Sequence, residues 1–179
     1  MAQFPNLLTE LHQLEFDYAD VEGIDFEPYQ TFMSKNEASQ WLKAWTGNSQ
    51  ADADSLLVFG QDGTGGYAAF WMVNQDNEIL DQPIVFLGSE GEIGVVAKDF
   101  NDYLWLLAQN HGPLESIEYP EDNSKINNTF LNFAKQNSKS ISRPVSEILS
   151  DAQNSNPNFG GVLKSMLTLN EAIIDVKEG

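Results

Sequence analysis

Between residues 55 and 97 the chain passes through four short apolar stretches, each closed by turn-forming residues. Leu56-Leu57-Val58-Phe59 ends in Gly60-Gln61-Asp62-Gly63-Thr64-Gly65-Gly66. Tyr67-Ala68-Ala69-Phe70-Trp71-Met72-Val73 ends in Asn74-Gln75-Asp76-Asn77. Pro83-Ile84-Val85-Phe86-Leu87 ends in Gly88-Ser89-Glu90-Gly91, and Ile93-Gly94-Val95-Val96-Ala97 completes the set. Apolar runs of this length between such turns read as β-strands. Parallel pairing requires a long crossover, usually a helix, and the gaps here are too short to hold one. The stretch therefore predicts a meander of mostly antiparallel strands.

Helical patterns lie on both sides of it. Leu7, Leu8, Leu11 and Leu14 form a stripe of about two turns. Ser34 followed by Glu37 is a capping box, Ala38, Trp41, Leu42 and Trp45 fall on one face behind it, and Gly47-Asn48 supplies the stop. Those tryptophans are expected in the core, with a ligand platform as the other reading. Asp99 can cap a helix with the stripe Phe100, Tyr103, Leu104, Leu107 and Ala108, halted by Gly112-Pro113. Ile126, Phe130, Phe133 and Ala134 mark another helix. Val145, Ile148, Leu149 and Ala152 mark a third, with Pro144 in its first turn. Phe159, Val162, Leu163, Met166 and Leu167 mark a fourth. The Asn/Ser-rich segments 121–128 and 150–158 read as surface loops. Helices before and after a meander mean an α+β fold, and the 179 residues fit a single domain over 1–179.

Charge constrains the partners. There are 27 Asp+Glu against 9 Lys+Arg, a net charge of −18. Such a surface repels nucleic acid and anionic lipid and attracts a basic protein, although solubility alone also accounts for acidity. The absence of cysteine excludes disulfides, thiolate metal sites and a thiol nucleophile, and it fits a reducing compartment. No signal-peptide pattern opens the chain and no run approaches the ~20 apolar residues of a bilayer span, so a cytoplasmic protein away from membranes is expected.

Motifs of catalysis and ligand binding fail on context. The glycine-rich 60–66 stretch lies between two strands and lacks the following Lys-Ser/Thr and helix of a phosphate loop, so it reads as a tight turn requiring positive φ. Asn74-x-Asp76-x-Glu78 begins like a calcium loop, but Ile79 and Val85 stand where glycine and glutamate are needed. Asp52-x-Asp54 has no following ligand pattern. His12 and His111 are the only histidines, and no Gly-x-Ser-x-Gly elbow is present. Gly88-Ser89-Glu90-Gly91-Glu92 reads either as a plain hairpin turn or as a turn presenting carboxylates to a cationic group.

Taken together, Leu57–Tyr67, Gln82–Gly91 and Val95-Val96-Ala97 leading into Phe100-x-x-Tyr103-Leu104 resemble the SUKH superfamily, which includes fungal cell-wall synthesis regulators and bacterial immunity proteins of polymorphic toxin systems. The resemblance covers about residues 34–110. Two regions depart from the family pattern: Phe26-Glu27-Pro28-Tyr29 stands where a Leu-Pro step often begins a second helix, and nothing from about residue 121 onward matches. The resemblance implies helices around a curved sheet, no cofactor, and a non-catalytic protein-binding module, such as an immunity protein neutralising a bacterial toxin. The alternatives are an enzyme with a carboxylate-based site and a housekeeping regulatory adaptor. Candidate partner-binding residues are the acids Asp20, Glu22 and Asp25 of the N-terminal stretch and Glu90 and Glu92 of the glycine-flanked turn, facing a basic toxin domain.

Overall fold

The computed structural model describes residues 1–18, 23–121 and 125–167. Its elements follow the chain as α1 (Asn6–His12), β1 (Glu27–Pro28), α2 (Lys35–Thr46), β2 (Leu56–Gln61), β3 (Tyr67–Trp71), β4 (Ile84–Leu87), β5 (Ile93–Ala97), α3 (Phe100–Ala108), α4 (Pro113–Glu118), α5 (Asn128–Asn137) and α6 (Val145–Ser155). Residues 159–167 are again helical. The strands form one sheet in the order β1-β2-β3-β4-β5, every neighbouring pair antiparallel. The fold is α+β, with helices packed on a curved antiparallel meander. Among the described residues, no helix is long and apolar enough to cross a membrane.

The continuous apolar character of the strands has a direct cause: helices cover both faces of the sheet. Phe59, Ala68, Phe70, Ile84, Phe86 and Val96 point into a core shared with α1, α3, α5 and α6. Val58, Ala69, Val85, Leu87 and Val95 alternate to the other face, against Ala38 and Leu42 of α2 and against Phe159 and Leu163. Half-buried antiparallel strands alternate apolar with polar; strands buried on both faces do not. Register shifts between Val58 and Gly60 and between Ile84 and Val85 mark bulges, which bend the sheet. At Gly60 a Cβ would lie 2.1 Å from Cζ of Phe26, so the phenyl ring rests on the strand only because that position is glycine.

The capping signals act as read. Ser34 accepts the Glu37 amide while the Glu37 side chain returns to the Ser34 amide, and Gly47 closes α2 at φ 68°. Asp99 accepts the amide of Asp102 at the start of α3. Several expectations need correction. Helix α3 ends at Ala108, two residues before Asn110, which adopts φ 60°, and Pro113 opens a separate short helix, α4, whose first turn is fastened by Glu115. Pro144 is the N-cap of α6, just outside its first turn. Ile126 precedes α5 and is exposed, and Val162 and Leu167 also face outward. Residues 150–155, expected as loop, continue α6, because Ala152 is buried and Asp151 is held by Lys98 and Arg143.

That last contact belongs to a charge cluster. The Asp102 side chain is 0% exposed, and its carboxylate meets the Arg143 guanidinium at 2.5 Å and the Ser140 hydroxyl at 3.0 Å. Arg143 and Lys98 also reach Asp151, at 3.1 and 2.9 Å. The hydrogen bonds from Lys98 and then Arg143 hold the Asp151 carboxyl below the usual carboxylate range. The cluster ties α3, the segment before α6, and α6 itself into one block.

Candidate functional site

One end of the sheet gathers the features that the sequence offered separately. The register places Glu27, Gln61, Tyr67, Leu87 and Ile93 in a single row across all five strands. Directly opposite residues of an antiparallel ladder share a face, so this row runs from an acid at the β1 edge to apolar side chains at β5. The polar half is locked: Gln61 Nε2 donates to Glu27 at 2.8 Å, and Tyr29 Oη donates to Gln61 Oε1 at 2.7 Å. Burial, followed by the nearby Tyr67, Glu27 and Glu37, pushes the Tyr29 phenol up to about 12, so its hydroxyl remains a donor.

Helix α2 lies over the row. Glu37, Trp41 and Trp45 recur every four residues and form one stripe along it. Trp41 meets Tyr67 edgewise at 4.7 Å between ring centroids, and Trp45 stacks on Trp41 at 5.7 Å with 24° between planes. Trp45 Nε1 donates to the carbonyl of Gly88 at 2.7 Å, which pins the stripe to the β4–β5 turn. As expected, both indoles pack against the core: each is mostly buried, on the side of the sheet that carries Val58, Ala69 and Val85. Their inner edges pack on the sheet and their remaining surface faces solvent, between exposed Glu37 at one end and exposed Glu90 at the other.

The two turns at this end are joined. Asp62 Oδ1 accepts from the amides of Thr64 and Gly66 and from the Thr64 hydroxyl, and Ser89 Oγ donates to Thr64 Oγ1 at 3.0 Å. Gly65 has φ 92° and Gly91 φ 99°, as tight turns require. Glu92 folds back over its own turn and accepts the Glu90 amide at 3.2 Å, which leaves Glu90 at the tip. Asp25 reaches the neighbouring turn, its carboxylate accepting the Gly63 amide at 2.9 Å. Its own amide donates to Glu115 Oε1 at 2.7 Å, so Asp25 works chiefly as a clamp between the 23–25 segment, the β2–β3 turn and α4. Of the expected binding acids, Glu90, Glu92 and Asp25 are therefore brought to one end of the sheet; Asp20 and Glu22 lie outside the described residues. Trp41, Tyr67, Tyr29, Glu27 and Glu37 complete the surface. The signal for Glu37, Trp41 and Trp45 was their spacing of four; the register that sets Tyr67 beneath them is not visible in composition.

The histidines and the carboxyl with the raised pKa are engaged in structural contacts. Among the described residues no cluster of three or more His, Asp or Glu is placed to hold a metal ion. The loop with the calcium-like start is organised by Gln82, whose buried side chain accepts the amides of Val73 and Asn74 and donates to the carbonyls of Asn74 and Asn77. His12 sits among Phe4, Phe16, Phe26 and Phe59 with Nδ1 on the Tyr29 carbonyl, and burial holds its pKa down to about 4. His111 bridges the carbonyls of Gln109 and Tyr119. Glu115 is raised to about 7 by burial, but its two oxygens accept the backbone amides of Asp25 and Gly112. Two surface cavities, about 590 and 380 Å³, are lined in part by Gln109, Leu131 and Val145 and by Ser146, Glu147 and Asp151 respectively; Glu115 lines neither.

Comparison with protein-family models, with curated proteins and with solved structures found no match.

Proposed function

We propose that this chain is a non-catalytic module that captures a basic protein, in the manner of an immunity protein that neutralises a toxin domain. The observation that carries the reading is the joined surface of Glu27, Tyr29, Tyr67, Trp41, Trp45, Glu37 and Glu90 on a molecule of net charge −18. Protein interfaces concentrate affinity in a few half-exposed aromatic anchors and draw on-rate from complementary charge around them. Both parts are present here, on rigid elements. The toxin assignment rests further on the likeness of residues 34–110 to the SUKH superfamily. The enzyme alternative asks for a concave site holding two acids of shifted pKa. Glu115, the acid that burial raises most clearly, is a structural tie with both oxygens occupied.

The test is a stopped-flow measurement with a basic toxin domain, sought first among the genes neighbouring the one for this chain. Association is expected to slow by about tenfold or more between low salt and physiological strength, where the screening length is about 8 Å. Dissociation should move less, since packed contacts at the interface centre set it. Glu90→Lys should slow association without lowering the melting temperature, and the bound toxin should lose activity. An acidic partner, a salt-indifferent association rate, or a toxin that remains active at saturation would each defeat the reading.

A further inference from the structure

We propose that the Trp41–Trp45 stack is the seat for an arginine side chain of the partner, its guanidinium lying on the indole of Trp45 and hydrogen-bonding to the Glu90 carboxylate, with Glu37 adding negative charge along the stripe. This rests on the basic-partner reading above and specifies its central contact. The first ground is geometric. The two indoles lie 24° from coplanar with centroids 5.7 Å apart, too close to cage a rounded ammonium between them. A flat cation can only extend the stack, and guanidinium is the planar side-chain cation. Among the described residues Trp45 has ring contact with Trp41 alone, whereas Trp41 also has Tyr67 against it, so Trp45 ends the aromatic stack.

The second ground is electrostatic. The bond from Trp45 Nε1 to Gly88 sets that end of the stack beside the turn that carries Glu90, and Glu37 stands two helical turns away on the same stripe. A cation over an indole face gains from the ring quadrupole, and more when carboxylates take its N–H groups. The third ground is the cationic deficit of the surface itself. Glu37 is committed to the Ser34 cap through one oxygen only, and Lys43, the basic residue of the last turn of α2, lies off the stripe. The seat thus offers aromatic area and negative charge and carries no cation of its own along the stripe.

The experiment titrates the full chain at low salt with hexa-arginine and hexa-lysine peptides, following the four indole N–H resonances by NMR. Hexa-arginine is expected to bind about threefold or more tighter than hexa-lysine. It should shift the Trp41 and Trp45 resonances and leave those of Trp71 and Trp105 in place. Trp45→Leu should bring the two peptides to equal affinity. Glu37→Gln with Glu90→Gln keeps the capping box, which glutamine also forms, so the fold is retained; it should weaken both peptides together and preserve the arginine preference. If the peptides bind equally and the Trp41 and Trp45 signals stay fixed, the arginine seat is wrong while the basic-partner reading stands. If neither peptide binds, both are wrong.

Discussion

Two ionisable groups, His12 at the end of α1 and Glu115 in α4, should make the stability of this protein nearly indifferent to pH over a range where each alone would tilt it. His12 is held to about 4 against an ordinary 6.5, because burial among phenylalanines disfavours the imidazolium. Over that interval the unfolded chain binds a proton that the native state refuses. Its contribution to stability is therefore complete above 6.5 and is lost as pH falls toward 4, at about 1.4 kcal/mol per pH unit. Glu115 runs the other way. It is raised to about 7 against an ordinary 4.5, so the native state keeps a proton that the unfolded chain has released. Its contribution is complete below 4.5 and is lost as pH rises through 7, at the same ~1.4 kcal/mol per pH unit. Between 4.5 and 6.5 the two slopes have opposite signs and largely cancel.

The perturbation is to remove one at a time and measure unfolding free energy in urea across that window. Relative to wild type, His12→Leu should lose about 2–3 kcal/mol of stability on going from the acidic to the neutral end. Glu115→Gln should gain about 2–3 kcal/mol over the same path. The double variant should return to the wild-type slope, whatever its absolute stability. Only slopes relative to wild type are compared, so other titrating groups drop out. A His12→Leu profile parallel to wild type would refute the account of a neutral histidine in the aromatic core. A Glu115→Gln profile parallel to wild type would do the same for the raised carboxyl.

Two further substitutions test the turn and the ion cluster. Gly65 and Gly66 should both resist alanine, by about 1–3 kcal/mol, for different reasons: Gly65 has φ 92° and open space at its Cβ, whereas a Cβ on Gly66 would meet Asp62 Oδ2 at 2.7 Å and Gly88 Cα at 3.0 Å. Asparagine, which tolerates the left-handed region, should therefore rescue Gly65 and not Gly66; thermal melts in which both positions respond alike would remove the distinction. Arg143→Ala should cost about 3–5 kcal/mol in chemical denaturation, since it takes the close guanidinium from the fully buried Asp102 carboxylate, and a loss below about 1 kcal/mol would show the cluster to be solvated in effect.

The elements most legible in the sequence were those whose instructions are local. Helix α2 carries its start in Ser34 and Glu37 and its stop in Gly47, all within one short window. The strands were legible because burial on both faces made them unbroken apolar runs. Strand β1 was not, because a two-residue edge strand containing Pro28 has no periodicity and exists only through its pairing with Gln61 and Gly60. Helix α4 was hidden because Pro113, read as the stop of one helix, is the first residue of the next. The 150–155 segment misled by composition: its Asn and Ser side chains face solvent while Ala152 and Asp151 hold the helix in place. At the candidate surface each acid and each tryptophan was visible by itself. What joined them, Trp45 to Gly88 and Tyr67 under Trp41, links residues far apart in the chain and leaves no pattern in any window.

The strictly sequential order of the sheet has a kinetic consequence. Each strand from β2 to β5 pairs with the one before it in the chain, and β2–β3 and β4–β5 do so as hairpins across short turns. Hairpins of this kind form in about 1–10 μs, and short loops carry the smallest closure entropy. The sheet is also complete in the chain before α5 and α6 begin. On a ribosome, β1 to β5 can assemble against α1, α2 and α3 while the last two helices are still being made, leaving the core on the α1 and α3 side incompletely covered until Phe130, Ile148 and Leu149 arrive. Truncation before residue 128 should therefore yield a chain whose far-UV circular dichroism keeps the strand signal and whose light scattering shows aggregation.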